Sequence, residues 1–413
     1  MPQIKPFRGL RPHPDFLKEV VAKPFEEMYT EEAKEIASSN KHSFLNLMEP
    51  EPDDKYQRGT IQDIIFKKIN ENFVEFIDDK ILIQDSQECF YIYQNQTREK
   101  IQTGIWATSA IDDYLNNTIK KHEHTREERE KGIIDYLEQT GIDSNPVLVT
   151  YLPNLEVKNI IDSYIQLKPE VDFYTNDGVK HKLWLVKEVA TLELLVDLFK
   201  KMDATYIADG HHRAAAFSIL GIQKRKLNLK HTGKEDYNFF STLLFSTDEL
   251  LIFEYNRLVK GLNSLTTKQL ISEIEKSFNV NQHTGKPFKP VSYNSFGMYL
   301  DHKWYVLTPK GIGINKIDPV EILDVSVLQN YILKPILGIN NPRTDERIFF
   351  SGGVKGIEDL EHQVNSGKAD VAFSLFPTSI SQLIEVANAG LVMPPKSTWF
   401  EPKLHCGLVV HRI

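Results

Sequence analysis

The chain has 413 residues, of which 41% are hydrophobic and 26% charged, and it carries a formal net charge of −8. This composition excludes a disordered chain, and the length, beyond the roughly 250 to 300 residues at which single cores stop growing, predicts more than one packed unit. The acidic balance excludes a broad electrostatic grip on nucleic acid, and the two cysteines, Cys89 and Cys406, are too far apart for a CxxC site, which excludes a disulfide framework or a thiolate zinc centre.

In chain order, the start MPQIKPFRGLRPHPDF lacks an apolar stretch behind a basic head. No apolar run approaches the roughly 20 residues that cross a bilayer, so no membrane partner and a reducing, cytoplasmic setting are expected. TEEAKEIASSN (30–40) predicts a helix with Thr30 as its cap. KYQRGTIQDIIFKKINENFVEFIDDKIL has apolar residues at helical spacing, whereas ECFYIYQNQT is aromatic and β-branched and predicts a strand.

KKHEHTREEREKG (120–132) is very polar, with alternating charges at helix-compatible spacing, and is expected to be exposed along most of its length. NPVLVTYL (145–152) and KLWLVKEV (182–189) predict strands, with the helical NLEVKNIIDSYIQL between them. ATLELLVDLFKKM predicts a helix, TYIA (205–208) a short strand, and RAAAFSIL another helix. NFFSTLLFSTDELLIFEYN predicts two strands joined by a polar turn, and a separate α/β unit is expected from residue 258. The alternation predicts an α/β or mixed α+β fold, in three parts: 1–105, 106–257 and 258–413.

Asp209-Gly210-His211-His212-Arg213 falls at the turn from the TYIA strand to the alanine-rich helix. Such a turn aims unpaired backbone N–H groups at one point and adds the positive end of a helix dipole, which suits a phosphate. Gly210 lets an anion approach the backbone, Arg213 can offer a forked cation, and Asp209 can hold Mg²⁺ or orient a hydroxyl. On these five residues alone a second account stands equal: Asp209 caps an ordinary helix whose first turn carries His211, His212 and Arg213 at the surface. Adjacent helical histidines diverge by about 100° and make a poor zinc site.

The order His122-Glu123, then Asp209 to Arg213, then Pro395-Lys396-Ser397-Thr398 is similar to that of the free-serine kinases, which carry the ParB/sulfiredoxin-like fold. Over essentially the whole chain the sequence also resembles a larger bacterial family catalogued as a domain of unknown function, through FRGLRP (7–12), KKHEHT (120–125), DGHHR and MPPKSTWFEPKL (393–404). The resemblance implies a ParB/sulfiredoxin-like phosphate-binding core with an N-terminal extension and a C-terminal α/β domain. It also implies Mg²⁺ as cofactor, ATP or ADP as co-substrate, and L-serine or another hydroxy amino acid as acceptor. Two departures are visible: the gap between His122-Glu123 and the DGHHR turn is longer than in the compact kinases, and the N-terminal region is absent from them.

By that resemblance alone Glu123 is the base that receives the hydroxyl proton, with His122 a substrate- or phosphate-binding neighbour; by composition Glu123 is one of several glutamates on a solvated helix face. A His122/His124 metal pair, two residues apart, suits a strand better than a helix. Lys396, Ser397 and Thr398 follow two prolines that stiffen the loop, and they suit a phosphate or a substrate carboxylate, although no Walker pattern precedes them and a solvent-facing turn is the plain alternative. Lys403 and Trp399 lie in the same stretch with no spacing to place them. In SGGVKGIEDLEHQ (351–363) the glycines fit a turn and helix end better than a nucleotide loop, and Asn256-Arg257 offers polar groups without a role.

No G-x-S-x-G or HExxH motif is present. The expectation is a Mg²⁺-dependent serine kinase acting on a small molecule and a nucleotide; nucleic acid is not an expected partner. The alternative is a ParB-like nucleotide-dependent regulator that uses the same turn without a small substrate. A sulfiredoxin-like reductase is disfavoured because His211 or His212 replaces the cysteine of that family's phosphate turn.

Overall fold

A computed structural model describes residues 1–23, 28, 30–48, 58–97, 100–311, 317–401 and 403–413, with the side chains of 30 and 58–61 outside the description. The expected Thr30 cap and the first residues of the KYQRG stretch therefore lie outside what is described. The chain divides into two units, Met1–Leu250 with Pro402–Ile413, and Leu251–Glu401.

Strands of the first unit's main sheet, in chain order, are β1 (Ile4–Lys5), β2 (Phe90–Gln96), β3 (Ile101–Ala110), β4 (Ile119–Lys120), β5 (Val147–Tyr151), β6 (Val171–Tyr174), β7 (Lys180–Val186), β8 (Thr205–Asp209) and β9 (Phe239–Ser246). Their order across the sheet is β4-β8-β5-β9-β3-β2-β7-β6, with β1 pairing the end of β3. Two pairs are parallel, β4 with β8 and β5 with β9; the rest are antiparallel, so the sheet is mixed α/β rather than doubly wound.

The longest helices of this unit are α1 (Arg58–Asp78), α2 (Glu127–Thr140), α3 (Leu155–Ile165), α4 (Val189–Lys200) and α5 (His211–Leu227). Val149, Ile207 and Leu244 of the sheet bury against Leu137 of α2, Leu195 and Phe199 of α4, and Ala214, Phe217 and Leu220 of α5. Helical periodicity makes this possible, because positions three and four apart share one face. A second core joins Ile69, Phe73 and Phe76 of α1 to Leu10, Phe44, Ile142 and Val410.

Residues 1–105, expected as a separate N-terminal region, instead supply β1, β2 and the start of β3 to the same sheet. The reason is that β3 needs partners on both edges and only these strands and β9 provide them. The NFFSTLLFSTDELLIFEYN stretch gives two strands joined by a turn, as expected. Of these, β9 already has β5 and β3 on its two edges, so its successor, Leu251–Phe253, pairs with Trp399–Glu401 in the second unit.

The second unit has a six-stranded sheet of β10 (Tyr255–Val259), β11 (Phe278–His283), β12 (Phe296–Leu300), β13 (Lys303–Pro309), β14 (Ile348–Gly352) and β15 (Val371–Ser374), in the order β11-β13-β12-β15-β10-β14. In SGGVKG, Gly352 ends β14, Gly353 opens the 3-10 turn Gly353–Lys355 and Gly356 is the C-cap of that turn, as the turn and helix-end reading expects, ahead of the helix Glu358–Asn365. Close approach explains them: a Cβ at Gly352 would meet the Trp399 ring at 2.4 Å, and one at Gly353 the Glu254 carboxyl at 2.6 Å. Among the described residues no helix is long and apolar enough to cross a membrane.

Candidate functional site

Parallel pairing brings the two expected motifs to one edge of the first unit's sheet. Ile119 pairs with Thr205 and Lys120 with Tyr206, so the residues after β4 leave the sheet beside the last residues of β8. Ligands of open α/β sheets gather at such carboxyl ends. A register shift between Ile207 and Asp209 breaks the β8–β5 ladder there, as bulges beside functional sites do.

Gly210 follows with φ +95°, a left-handed conformation open to glycine, and a Cβ there would meet the Arg213 guanidinium at 2.9 Å. Gly210, at the N-cap, has no side chain to cap α5, and the Asp209 carboxylate accepts from the Gly210 N–H at 2.9 Å. A helix start presents backbone N–H groups and the positive end of the dipole, which suits an anion.

His122 and His211 meet across 89 residues of sequence: the His122 N–H points at Nε2 of His211 at 3.5 Å, and the rings pack edge to face with centroids 4.4 Å apart. Both are buried; the 120–132 stretch is exposed along most of its length, as expected, and His122 is the exception because the parallel pairing draws it under α5. Burial pushes the His122 imidazole down to about 4, outweighing the opposite pull of Asp209 and of the Ile207 backbone. Burial, and then His122 itself, hold His211 well below the ordinary histidine range. Both rings are therefore neutral near pH 7, and Nδ1 of His122 is buried without a hydrogen-bond partner.

Glu123 is exposed, with one carboxylate oxygen 3.8 Å from Nδ1 of His211. Asp209 lies 3.3 Å from Nζ of Lys403 and 4.0 Å from the Arg213 guanidinium. Burial alone would raise its carboxyl, but Lys403 and Arg213 hold it well below the usual carboxylate range, so it is ionised. Arg213, expected as a forked cation for phosphate, spends Nη1 on the Asn145 carbonyl at 2.8 Å, the Asn145 side-chain oxygen at 2.6 Å and the Pro146 carbonyl. It ties the turn to the entry of β5. His212 is half-buried beside it.

Lys403 is the residue that sequence reasoning could name but not place. Its segment is held in the first unit by paired backbone bonds between Cys406 and Ala22 and by the His405–Asp177 contact at 3.2 Å. Trp399 belongs to the second unit, as do Lys396, Ser397 and Thr398. There Lys396 has φ +55°, the Ser397 hydroxyl donates to the Pro394 carbonyl at 2.6 Å, and Thr378 donates to the Ser397 carbonyl at 3.0 Å, so the loop is internally fastened.

Among the described residues no group of three or more His, Cys, Asp or Glu side chains is arranged to hold a metal ion. Magnesium commonly takes one or two carboxylates and completes its shell with water and phosphate oxygens, and ionised Asp209 is the turn's carboxylate for that. A cavity of about 710 Å³ along α1, lined by Phe66, Asn70, Val74 and Gln139 among others, includes none of these residues.

A family model described as "Protein of unknown function (DUF1015)" matches residues 4–326. A search of curated proteins gives no match. Among solved structures, a free serine kinase in complex with AMP is 14% identical, with 75% of this chain and 91% of that chain covered and a TM-score of 0.37. A variant of free serine kinase in complex with ADP is 15% identical over 75% of this chain and 91% of that one, with a TM-score of 0.39. SbnI with C-terminal truncation from Staphylococcus aureus is 13% identical over 73% and 84%, with a TM-score of 0.37.

Proposed function

The chain belongs to the DUF1015 family, and we propose that it is a phosphotransferase that moves a phosphoryl group from ATP or ADP to the hydroxyl of a small hydroxy amino acid, L-serine first among them. The single observation that carries this reading is the meeting of His122-Glu123 with the DGHHR turn at the start of α5, two motifs 89 residues apart whose order also resembles that of the free-serine kinases. On this reading the first unit is a ParB/sulfiredoxin-like core.

Phosphoryl transfer asks little covalent chemistry of a protein; it asks for in-line placement, charge neutralisation and an acceptor for the hydroxyl proton. The N–H groups at the start of α5 hold the phosphates, and Gly210, lacking a Cβ, lets them approach the backbone. Glu123 takes the proton as the acceptor oxygen bonds to phosphorus and the bond to the nucleotide's bridging oxygen breaks, giving O-phosphoserine and a nucleotide shorter by one phosphate. Neutral His211, beside Glu123, orients that carboxylate without lowering its basicity as an imidazolium would. Asp209 would hold Mg²⁺, which supplies neutralisation of phosphate charge; Lys403 and Arg213 keep that carboxylate ionised.

Phosphorus NMR of the protein with Mg²⁺, ATP or ADP in turn, and free hydroxy amino acids tests this. A phosphomonoester signal that grows only with serine is the expected result, and Glu123→Gln should lower its rate by roughly 10²- to 10⁴-fold, the usual worth of a positioned base. Nucleotide binding with no phosphomonoester from any hydroxy amino acid would replace the reading with that of a nucleotide-dependent regulator.

A further inference from the structure

The second unit carries two cations, Arg257 and Lys396, that form no ion pair with an acid among the described residues. Arg257, on β10, is 3% exposed; its guanidinium donates to the Tyr255 carbonyl and, at 3.2 Å, to the Pro395 carbonyl, and lies 5.1 Å from the Phe350 ring centroid. Among the described residues no carboxylate comes within 4.0 Å of it. Burial lowers its pKa to about 9, with Tyr255 acting the other way, so the group still carries its charge at neutral pH.

Tyr255 lies two residues before Arg257 on the strand and so faces the same side. Its ring holds the exposed ammonium of Lys396 at 5.4 Å from the centroid. Lys396 adopts φ +55°, a left-handed backbone state that is strained for a lysine and persists where surroundings impose it. Arg257 contributes to imposing it, through the carbonyl of Pro395 immediately before.

An unpaired buried charge is expensive, and it arises here in a chain with 57 acidic residues and a net charge of −8, so acids are not scarce. We propose that Arg257 and Lys396 form a receptor for a single oxyanion, carboxylate or phosphate, in the second unit: Lys396 makes the contact, while Arg257 supplies buried charge and holds the Pro395–Lys396 turn. Low surrounding polarity lets the Arg257 charge act at longer range than it would in water. The inference rests on the phosphotransferase reading only for which anion is bound, an amino-acid carboxylate or a phosphate.

Calorimetric titration of the full chain with L-serine and, separately, with inorganic phosphate tests it. The wild type should bind at least one of the two, and Lys396→Gln, at an exposed position, should weaken that binding by roughly tenfold, the worth of one charge-assisted hydrogen bond. Arg257→Lys keeps a buried charge but loses the fork, and should weaken it less. Loss of the serine isotherm identifies a carboxylate receptor, and loss of the phosphate isotherm a phosphate receptor. The proposal is overturned if the wild type binds neither anion, or if both isotherms are unchanged in Lys396→Gln. Anion binding lost in Lys396→Gln by a chain that forms no phosphomonoester would keep the receptor and sink the kinase; turnover with unchanged isotherms would do the reverse.

Discussion

The DGHHR turn of the first unit and the Lys396 loop of the second treat charge in opposite ways. At the turn, Asp209 is matched by Lys403 and Arg213, and elsewhere in that unit Arg11 meets Asp85 at 2.6 Å. In the second unit Arg257 has no carboxylate within 4.0 Å among the described residues, and Asp324 is buried with one of its oxygens lacking a hydrogen-bond partner there. A matched site keeps its shape before a ligand arrives; an unmatched one gains most when the ligand supplies the missing charge.

The largest expected effect is on pH-dependent stability, where the two units should slope in opposite directions. Burial raises the Asp324 carboxyl to about 7, only partly offset by the Asn294 N–H. The native unit keeps a proton that the unfolded chain releases near pH 4, so its stability falls as pH rises from about 4 to about 7, by up to roughly 4 kcal/mol. In the first unit His122 is lowered from 6.5 to about 4, so the unfolded chain binds more protons in that window and stability rises with pH, by up to roughly 3 kcal/mol. Hydrogen exchange followed separately in β8 and β12 from pH 4 to 7 would show the opposed slopes. Asp324→Asn should flatten the second one, and equal slopes in both units would break the comparison.

Next in size is Gly210→Ala. The left-handed backbone and the contact with Arg213 together predict a loss of about 2 to 3 kcal/mol in thermal or denaturant unfolding, together with weakened nucleotide binding. A neutral outcome would mean the turn is not held as tightly as its contacts indicate.

The smallest effect is also the most direct sharpening of the contrast. Asp209→Asn leaves Lys403 and Arg213 without their acid and makes the first site resemble the second. In the absence of Mg²⁺, inorganic phosphate should then bind about tenfold more tightly, while stability drops by about 1 kcal/mol. If phosphate affinity does not rise, the two cations are not directed at the anion position.

Much of the local structure was legible in the chain. The aromatic and β-branched runs became β2, β5, β7 and β8, the amphipathic stretches became α3 and α4, and the alanine-rich stretch after the turn became α5. Neither the burial of His122 nor the fixing of Arg213 to Asn145 and Pro146 could be read, since each depends on a neighbour far along the chain. Likewise nothing near Lys403 announces a partner 194 residues earlier.

The sequence by itself determined the elements, the positive-φ glycine at the strand-to-helix turn and the order of the motifs, because these follow from side-chain periodicity and backbone sterics within a few residues. Only the tertiary structure decided that β4 runs parallel beside β8, that the segment after Glu401 returns to Asp209, and that Arg257 is buried with no ion-paired acid among the described residues. Strand partners and charge partners are chosen by which edges and faces remain to be covered once the whole sheet has assembled, and no local preference encodes that.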